Sequence, residues 1–246
     1  MTGSSRVPAV KSSSSNRRQR LPKNTSAMAA MSQVNRVWYA SYGSNLSWPR
    51  FMCYIVGGTP KGADKTYAGC NDRSLPLASR PITMDLELYF GGYSQTWGGA
   101  VAFVRVSKHR LITLGRMYLI TDSQFSDVVL QENGRTPGTV RVVPEFEQLI
   151  QRLNKEYSLP DNCFYDLLLK IGTKRGYPIL TLTAQQKRCI GAPSEAYVKT
   201  ITSGLRQAYP TKSREEICDY LLARKGLAGS VEREKLFSWL AEVPDK

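Results

Sequence analysis

Histidine is almost absent from this chain of 246 residues, which contains only His109. A Ser-His-Asp triad and a multi-histidine metal centre both need imidazole groups that this sequence hardly supplies. The sequence therefore effectively excludes a zinc deacetylase, and it disfavours any site that is built from several histidines.

Closely spaced cysteines are missing as well. The five cysteines are odd in number and widely spaced, and none of them forms a C-x-x-C pair. Disulfide frameworks and zinc sites normally use even sets at short, regular spacings. We therefore expect free thiols in a reducing compartment and no cysteine-bound metal. The five residues are Cys53, Cys70, Cys163, Cys189 and Cys218.

Long apolar runs do not occur either. No stretch approaches 18 consecutive apolar residues, and the start of the chain lacks the apolar core of a secretory signal peptide. We therefore expect a cytoplasmic protein that has no membrane partner.

Acidic residues are absent from residues 1–36, which carry seven of the fourteen excess positive charges. This Ser- and Arg-rich segment has little to bury, so we expect a disordered basic tail. Its composition also fits an organelle transit peptide, unless the natural start lies at Met28 or Met31. The other seven excess positive charges form no dense basic run, and the sequence has no recognisable nucleic-acid-binding motif. We therefore expect no specific nucleic-acid partner.

A short apolar strand stops in a Gly-Ser-Asn turn just before a predicted helix. The strand covers residues 37–40, and the helix has Ser47 as a possible cap and Gly57-Gly58 as its end. Backbone N–H groups of such a turn can converge on a carboxylate or a phosphate. The alternative is an ordinary strand-to-helix turn, because the same residue types favour turns generally.

Glu132 occupies an unexpected position on a predicted helix over residues 123–133. It follows Phe125 by seven residues and Val128 by four, so it shares their apolar stripe. The carboxylate is either at a frayed helix end that reaches water or in a pocket that raises its pKa. Asp127 is the second candidate for an acid or base, whereas Asp85 and Glu87 are expected to face solvent.

Four segments together resemble the gamma-glutamylcyclotransferase family. Residues 42–46 match its Tyr-Gly-Ser-Asn-Leu loop, and residues 94–99 match its Trp-Gly-Gly strand opening. Residues 131–134 correspond to its catalytic glutamate before a glycine, although this chain inserts Asn133 and lacks the preceding acidic pair. Residues 191–197 are similar to the Pro-Ser-x-x-Tyr segment that opens its closing helix. The order agrees throughout, so the resemblance covers roughly residues 37–208.

The pattern of predicted elements indicates an α+β protein, because strands cluster in the middle of the chain with helices between and after them. The resemblance implies a small, mostly antiparallel β-barrel flanked by helices. Two predicted amphipathic helices after this region lead us to expect that residues 209–246 form a helical extension packed on the domain. We predict strands over residues 82–93, 99–106, 111–120 and 139–143, a hairpin over 163–183, and helices over 145–157, 194–207, 214–224 and 231–240.

The resemblance also implies a reaction, in which a γ-glutamyl group cyclises to 5-oxoproline and releases an amine or an amino acid. Glu132 is then the general acid and base, and no metal or organic cofactor is required. The implied partner is a small γ-glutamyl substrate, and the protein is expected to be a monomer or a homodimer. The expected substrate-binding residues are Tyr42, Gly43, Ser44, Asn45, Leu46, Trp97, Gly98 and Tyr197.

Two alternatives stay open at the level of sequence. The chain could be a non-catalytic member of the same fold that binds a small ligand in the same cavity. It could also catalyse acyl or amide transfer on a different γ-glutamyl substrate. The residues of the expected pocket do not distinguish between γ-glutamyl amino acids, glutathione and γ-glutamyl polyamines.

Overall fold

The structure is a computed structural model that describes residues 1–3, 35–61, 64–107, 111–139, 156–159 and 163–244. The chain divides into two compact units, Met1–Gln33 and Val34–Lys246, and the helices and strands described belong to the second. The expected disorder of residues 4–34, the strand expected at 140–143 and the helix expected at 145–155 lie outside the described residues.

Within the described part of the chain, eight strands form two sheets. In the larger sheet the order is β2-β5-β1-β8-β7-β6, in which β1 and β8 are parallel and the other pairs are antiparallel. Strands β3 and β4 form an antiparallel ribbon. The strands are β1 (Arg36–Ser41), β2 (Ala78–Asp85), β3 (Glu87–Ser94), β4 (Gly99–Arg105), β5 (Ile112–Thr121), β6 (Glu156–Ser158), β7 (Leu167–Lys174) and β8 (Tyr177–Thr183).

Side-chain hydrogen bonds join the ribbon to the larger sheet. The Thr113 hydroxyl of β5 donates to the Leu86 carbonyl at 2.6 Å. On the other side, the Thr183 hydroxyl of β8 bonds to both backbone groups of Val104 in β4. Thr183 thus connects the two sheets directly, and Thr113 holds the residue that precedes the ribbon. The mostly antiparallel strands agree with the predicted α+β class, which is confirmed.

Five helices of more than one turn lie among the described residues. Helix α2 begins with a capping box, in which Thr121 and Gln124 each bond to the backbone of the other. Helix α1 ends at Gly57, whose φ of 90° favours glycine. The helices are α1 (Trp48–Val56), α2 (Asp122–Glu132), α3 (Glu195–Ala208), α4 (Arg214–Leu222) and α5 (Arg233–Ala241).

Two of the predicted elements differ from the structure, and a third agrees with it. The strand predicted over residues 82–93 is two strands, β2 and β3, which are separated at Leu86. The end of the helix predicted over 145–157 is instead strand β6, because residues 156–158 pair with β7. The hairpin of β7 and β8 is confirmed, and it turns at Arg175 and Gly176, which both have positive φ.

The core contains two apolar clusters. One of them lies between the ribbon, the larger sheet and helices α3 to α5, and it includes Phe90, Leu221 and Leu236. The other packs α1 and α2 against the sheet through residues such as Phe51 and Phe125. All five cysteines are free, and four of them are buried. None of the described helices has the length and apolar character needed to cross a membrane.

The expectation that Glu87 faces solvent is wrong, whereas Asp85 is exposed as expected. Glu87 is only 4% exposed, and its carboxylate accepts hydrogen bonds from Lys225 and Arg105 at 2.6 Å each. Arg105, which lies opposite Glu87 on the paired strand β4, and the distant Lys225 together satisfy the buried charge. Because these partners stabilise the ionised form, the pKa of Glu87 is lowered despite the burial that opposes it.

Candidate functional site

The Gly-Ser-Asn turn connects β1 directly to α1. Strand β1 lies between β5 and β8 in the sheet, and a single 3-10 turn over Ser44–Leu46 follows it. The Leu46 N–H donates to the Gly43 carbonyl at 3.0 Å, and the Ser47 N–H donates to the Ser44 carbonyl at 3.1 Å. The turn is therefore held by its own backbone, and the Leu46 N–H already has an acceptor.

Tyr197 of helix α3 fixes the other side of the turn. Its hydroxyl accepts a hydrogen bond from the backbone N–H of Ala102 at 3.1 Å. A Cβ at Gly43 would lie 2.8 Å from this hydroxyl, so only glycine fits there without a shift. Of the four N–H groups expected to form an anion site, that of Leu46 therefore already has a backbone partner. Gly43, Ser44 and Asn45 line the inner cavity that is described below.

Glu132 is the last residue of α2, and its carboxylate is held by three side chains from two other elements and the turn. Asn45 Nδ2 donates to Oε1 at 2.6 Å, and the Tyr54 hydroxyl donates to Oε2 at 3.0 Å. The Tyr39 hydroxyl makes a longer contact of 3.4 Å with Oε1. Of the two sequence alternatives for Glu132, the structure has the pocket and not the frayed helix end.

Burial raises the pKa of the Glu132 carboxyl above its usual value, because desolvation disfavours the charged form. The nearby charge of Arg50 and the hydrogen bonds from Tyr54, Asn45 and Tyr39 oppose this rise, but they do not cancel it. A carboxylate with a raised pKa is a better proton acceptor near neutral pH than an exposed one.

The carboxylate lies between two cavities that share Ser44, Glu132, Tyr165 and Tyr197 as lining residues. The inner cavity has a volume of about 30 Å³ and is also lined by Tyr42, Gly43 and Asn45. Such a space holds roughly one water molecule or one small chemical group. The outer cavity has a volume of about 230 Å³, and Arg50, Tyr54, Lys65, Tyr67 and Trp97 are among the residues that line it.

The remaining predicted residues divide into those that line these cavities and those that do not. The Tyr42 hydroxyl donates to the Leu182 carbonyl at 2.5 Å, so the ring is fixed in the wall of the inner cavity. Trp97 stacks at a tilt on Tyr197, with 5.1 Å between the ring centroids. Gly98 is exposed in a turn and lines neither cavity, and the Leu46 side chain is fully buried in the core.

The second acidic candidate, Asp127, has a structural position. Its two carboxylate oxygens accept hydrogen bonds from the backbone N–H groups of Asn71, at 2.8 Å, and Gly138, at 2.9 Å. The residue lines neither of the cavities beside Glu132. Asp127 therefore ties two loops to α2, and it does not face the candidate site.

Asn133, where the chain departs from the family pattern, connects α2 to the wall of the cavities. Its amide nitrogen donates to the carbonyls of Val129 and Tyr165, and its amide oxygen accepts from the Tyr165 N–H at 2.9 Å. These bonds position the Tyr165 backbone, and the Tyr165 ring lines both cavities. The inserted residue is thus part of the support for the site.

Sequence reasoning missed four residues of the site, namely Arg50, Tyr39, Tyr54 and Tyr165. Arg50 could have been found, because it precedes Cys53 by three residues and Tyr54 by four on the apolar face of α1. That is the same signal that identified Glu132. The three tyrosines carry no such signal, since aromatic residues are common on buried faces.

Comparisons with known proteins give partial likenesses. No family model matches the sequence. A curated relative, Histone deacetylase 5 of Arabidopsis thaliana, is 36% identical over 199 residues, which are 75% of this chain. The chain spans only 30% of the length of that relative, whose name describes the whole longer protein.

Three solved structures align with most of the chain. A human protein described as uncharacterized has a TM-score of 0.47 at 17% identity, and the match covers 85% of this chain and 99% of that one. A gamma-glutamyl cyclotransferase has a TM-score of 0.46 at 16% identity with the same coverage. YkqA from Bacillus subtilis has a TM-score of 0.41 at 17% identity, covering 85% of this chain and 56% of that one.

Proposed function

We propose that this protein is an enzyme that cyclises γ-glutamyl groups to 5-oxoproline, with Glu132 as its general acid and base. The observation that carries the proposal is the Glu132 carboxylate, which is partly buried, oriented by Asn45 and Tyr54, and located beside a cavity of small-ligand size. The sequence resemblance to gamma-glutamylcyclotransferases supplies the reaction.

The reaction needs a folded substrate and one proton shuttle. The α-ammonium of the γ-glutamyl group first loses one proton to water, and the free α-amine attacks its own γ-carbonyl. A carbon–nitrogen bond closes the five-membered ring, and Glu132 accepts the second proton, which the attacking nitrogen loses as the ring forms. Glu132 returns this proton to the leaving nitrogen as the bond between that nitrogen and the γ-carbon breaks. Holding both reacting groups in one conformer lowers the entropic part of the barrier.

Asn45 contributes a second contact in this proposal. Its Nδ2 donates to Glu132, whereas its Oδ1 is buried and has no hydrogen-bond partner within the described part of the chain. A buried acceptor without a donor is costly, so a ligand N–H that reached it would remove that cost. We assign Asn45 Oδ1 to the substrate ammonium, and the N–H groups of Gly43 and Asn45 to a substrate oxygen.

The test is the release of 5-oxoproline from a panel of γ-glutamyl amino acids and amines by purified protein. We expect Glu132→Gln to lower kcat by about 10²- to 10⁴-fold, the range typical for loss of a general acid and base. Asp127→Asn is the matched control, because this carboxylate comes from the same helix but lines neither cavity. The control should retain turnover.

Two results would contradict the proposal. If wild-type protein releases no 5-oxoproline from any member of the panel, the enzyme assignment is wrong. Binding of a panel member without release would then favour the non-catalytic alternative. If Glu132→Gln turns over at the wild-type rate, the assignment of the proton shuttle is wrong.

A further inference from the structure

Arg50 places a buried positive charge in the outer cavity. The residue belongs to the first turn of α1 and is only 4% exposed. Its guanidinium carbon lies 4.4 Å from the ring centroids of both Tyr54 and Tyr67, and its Nη2 donates to the Tyr67 hydroxyl at 3.0 Å. The charge is therefore fixed in position by two aromatic rings.

Two of the guanidinium nitrogens lack an acceptor. Nε and Nη1 are both buried, and neither has a hydrogen-bond partner among the described residues. No described carboxylate lies within ion-pair distance of Arg50. A buried guanidinium with unused N–H groups is expensive unless an anion completes it, and a carboxylate can accept from two of its nitrogens at once.

Arg50 is separated from Glu132 by the side chain of Tyr54. The Tyr54 ring lies below the guanidinium, and the Tyr54 hydroxyl donates to Glu132 Oε2 at 3.0 Å. Both charged residues line the outer cavity, together with Lys65, whose Nζ is 5.1 Å from the Tyr67 ring centroid. One part of a ligand in this cavity can thus contact Glu132 while another part contacts a cationic group.

We propose that Arg50 binds the carboxylate of the leaving amino acid and so selects γ-glutamyl amino acids over γ-glutamyl amines. This inference rests on the proposed function, since it assigns the leaving half of the substrate to the outer cavity. A polyamine leaving group would bring further positive charge towards Arg50 and Lys65, which disfavours it. The outer cavity is therefore the part of the site that determines substrate class.

A matched pair of substrates tests the inference on the unmodified protein. γ-Glutamyl-alanine and γ-glutamyl-ethylamide differ only in the carboxylate of the leaving group. We expect kcat/KM to be about 100-fold higher for γ-glutamyl-alanine, because the amide leaves the buried cation unpaired. Values within threefold of each other would overturn the inference and leave the proposed function in place.

Variants of Arg50 test whether this residue causes the preference for γ-glutamyl-alanine. In Arg50→Gln the preference for γ-glutamyl-alanine should fall at least tenfold, mainly through kcat/KM for that substrate, while Arg50→Lys should keep part of it. Arg80→Gln, an exposed arginine that lines neither cavity, is the matched control and should keep the full preference. If Arg50→Gln retains the wild-type preference, or lowers kcat/KM for both substrates equally, Arg50 does not bind the carboxylate of the leaving amino acid. Should Arg50→Gln not fold, the substrate pair on wild-type protein decides the question alone.

Calorimetry on Glu132→Gln separates failure of this inference from failure of the proposed function. This variant retains Arg50, and it allows the two compounds to bind without turnover. Tighter binding of γ-glutamyl-alanine supports the carboxylate site even if wild-type protein releases no 5-oxoproline, a result that would overturn only the reaction. Equal binding of the two compounds overturns the carboxylate site.

Discussion

Opposing effects set the proton affinity of Glu132. Burial raises its pKa, whereas the charge of Arg50 and three donated hydrogen bonds lower it. The net direction is upward, so the carboxylate remains a base while accepting a proton more readily than an exposed glutamate. Each hydrogen-bond donor around it is thus a means of adjusting the pH range in which the site can act.

Tyr54→Phe should move the acid limb of the kcat/KM pH profile to higher pH. The change removes the hydroxyl that donates to Glu132 Oε2 but keeps the ring beneath Arg50. Because a hydrogen bond to the ionised form lowers a pKa, its loss raises the pKa of Glu132, by about one unit for a typical bond to a charged group. Activity that needs ionised Glu132 is then lost earlier as the pH falls.

The pH profile of 5-oxoproline release measures this shift. Tyr67→Phe is the matched control, since it removes a hydroxyl from the same cavity that bonds to Arg50 and not to Glu132. Its acid limb should stay near that of the wild type. An acid limb that stays in place or moves to lower pH in Tyr54→Phe would contradict the assignment of Tyr54.

At the scale of elements, the turn after β1 depends on close contact with α3. A Cβ at Gly204 would lie 2.2 Å from the backbone carbonyl carbon of Leu46, a distance that no rotamer change can relieve. Glycine in α3 therefore permits the helix to press against the 3-10 turn that contributes Gly43 and Asn45 to the inner cavity. The same helix supplies Tyr197 on the other side of that cavity.

Gly204→Ala should lower both stability and activity. Helix propensity alone predicts a gain of about 1 kcal/mol, but the clash with backbone should cost about 1–3 kcal/mol and displace the turn. Denaturant unfolding and 5-oxoproline release measure the two effects. Ser203→Ala, one position earlier in α3, should change stability by less than about 0.5 kcal/mol. Stabilisation by Gly204→Ala would contradict the close contact between α3 and the turn.

Elements with a strong local pattern were predicted well. The hairpin of β7 and β8 and helices α1 to α5 lie close to their predicted positions, because turn residues and apolar periodicity mark them. Strand β6 was mistaken for helix, since it is a strand of only three residues whose conformation depends on pairing with β7 and not on a pattern of its own. The split at Leu86 was missed because the apolar run continues across it.

At the scale of the whole molecule, the C-terminal helices complete a core and do not simply cover it. Leu221, Leu227, Leu236 and Leu240 are fully buried in the cluster that contains Phe90 of β3. Lys225 also pairs with buried Glu87 at 2.6 Å. We therefore propose that residues 209–246 fold together with the rest of the unit.

Leu236→Ala should destabilise the whole unit and not α5 alone. Removing a fully buried leucine side chain costs about 2–5 kcal/mol. If α5 is integral to the core, tryptophan fluorescence and helical circular dichroism should report one shared, lowered transition. Ser238→Ala, an exposed position in the same helix, should change stability by less than about 0.5 kcal/mol. A separate early transition of the helix would contradict this proposal.

The amino-acid sequence by itself determined the α+β class, the turn after β1 and the place of Glu132 on an apolar helix face. These features depend on local rules, in which periodicity, capping and turn chemistry act over a few neighbouring residues. Those local rules did not predict which charged residues lie close together in the fold. The sequence suggested that Glu87 faces solvent, and it gave no reason to place Arg50 near Glu132.

Only the tertiary structure decided which residues surround the carboxylate. Tyr39, Asn45 and Tyr54 reach Glu132 from a strand, a turn and a helix that are separated from it by 93, 87 and 78 positions. Whether a buried charge is satisfied depends on such long-range neighbours, because desolvation and hydrogen bonding are set by the packed environment. The same packing left two buried donors of Arg50 without a partner among the described residues, whereas the sequence pattern indicated only that Arg50 lies on the apolar face of α1.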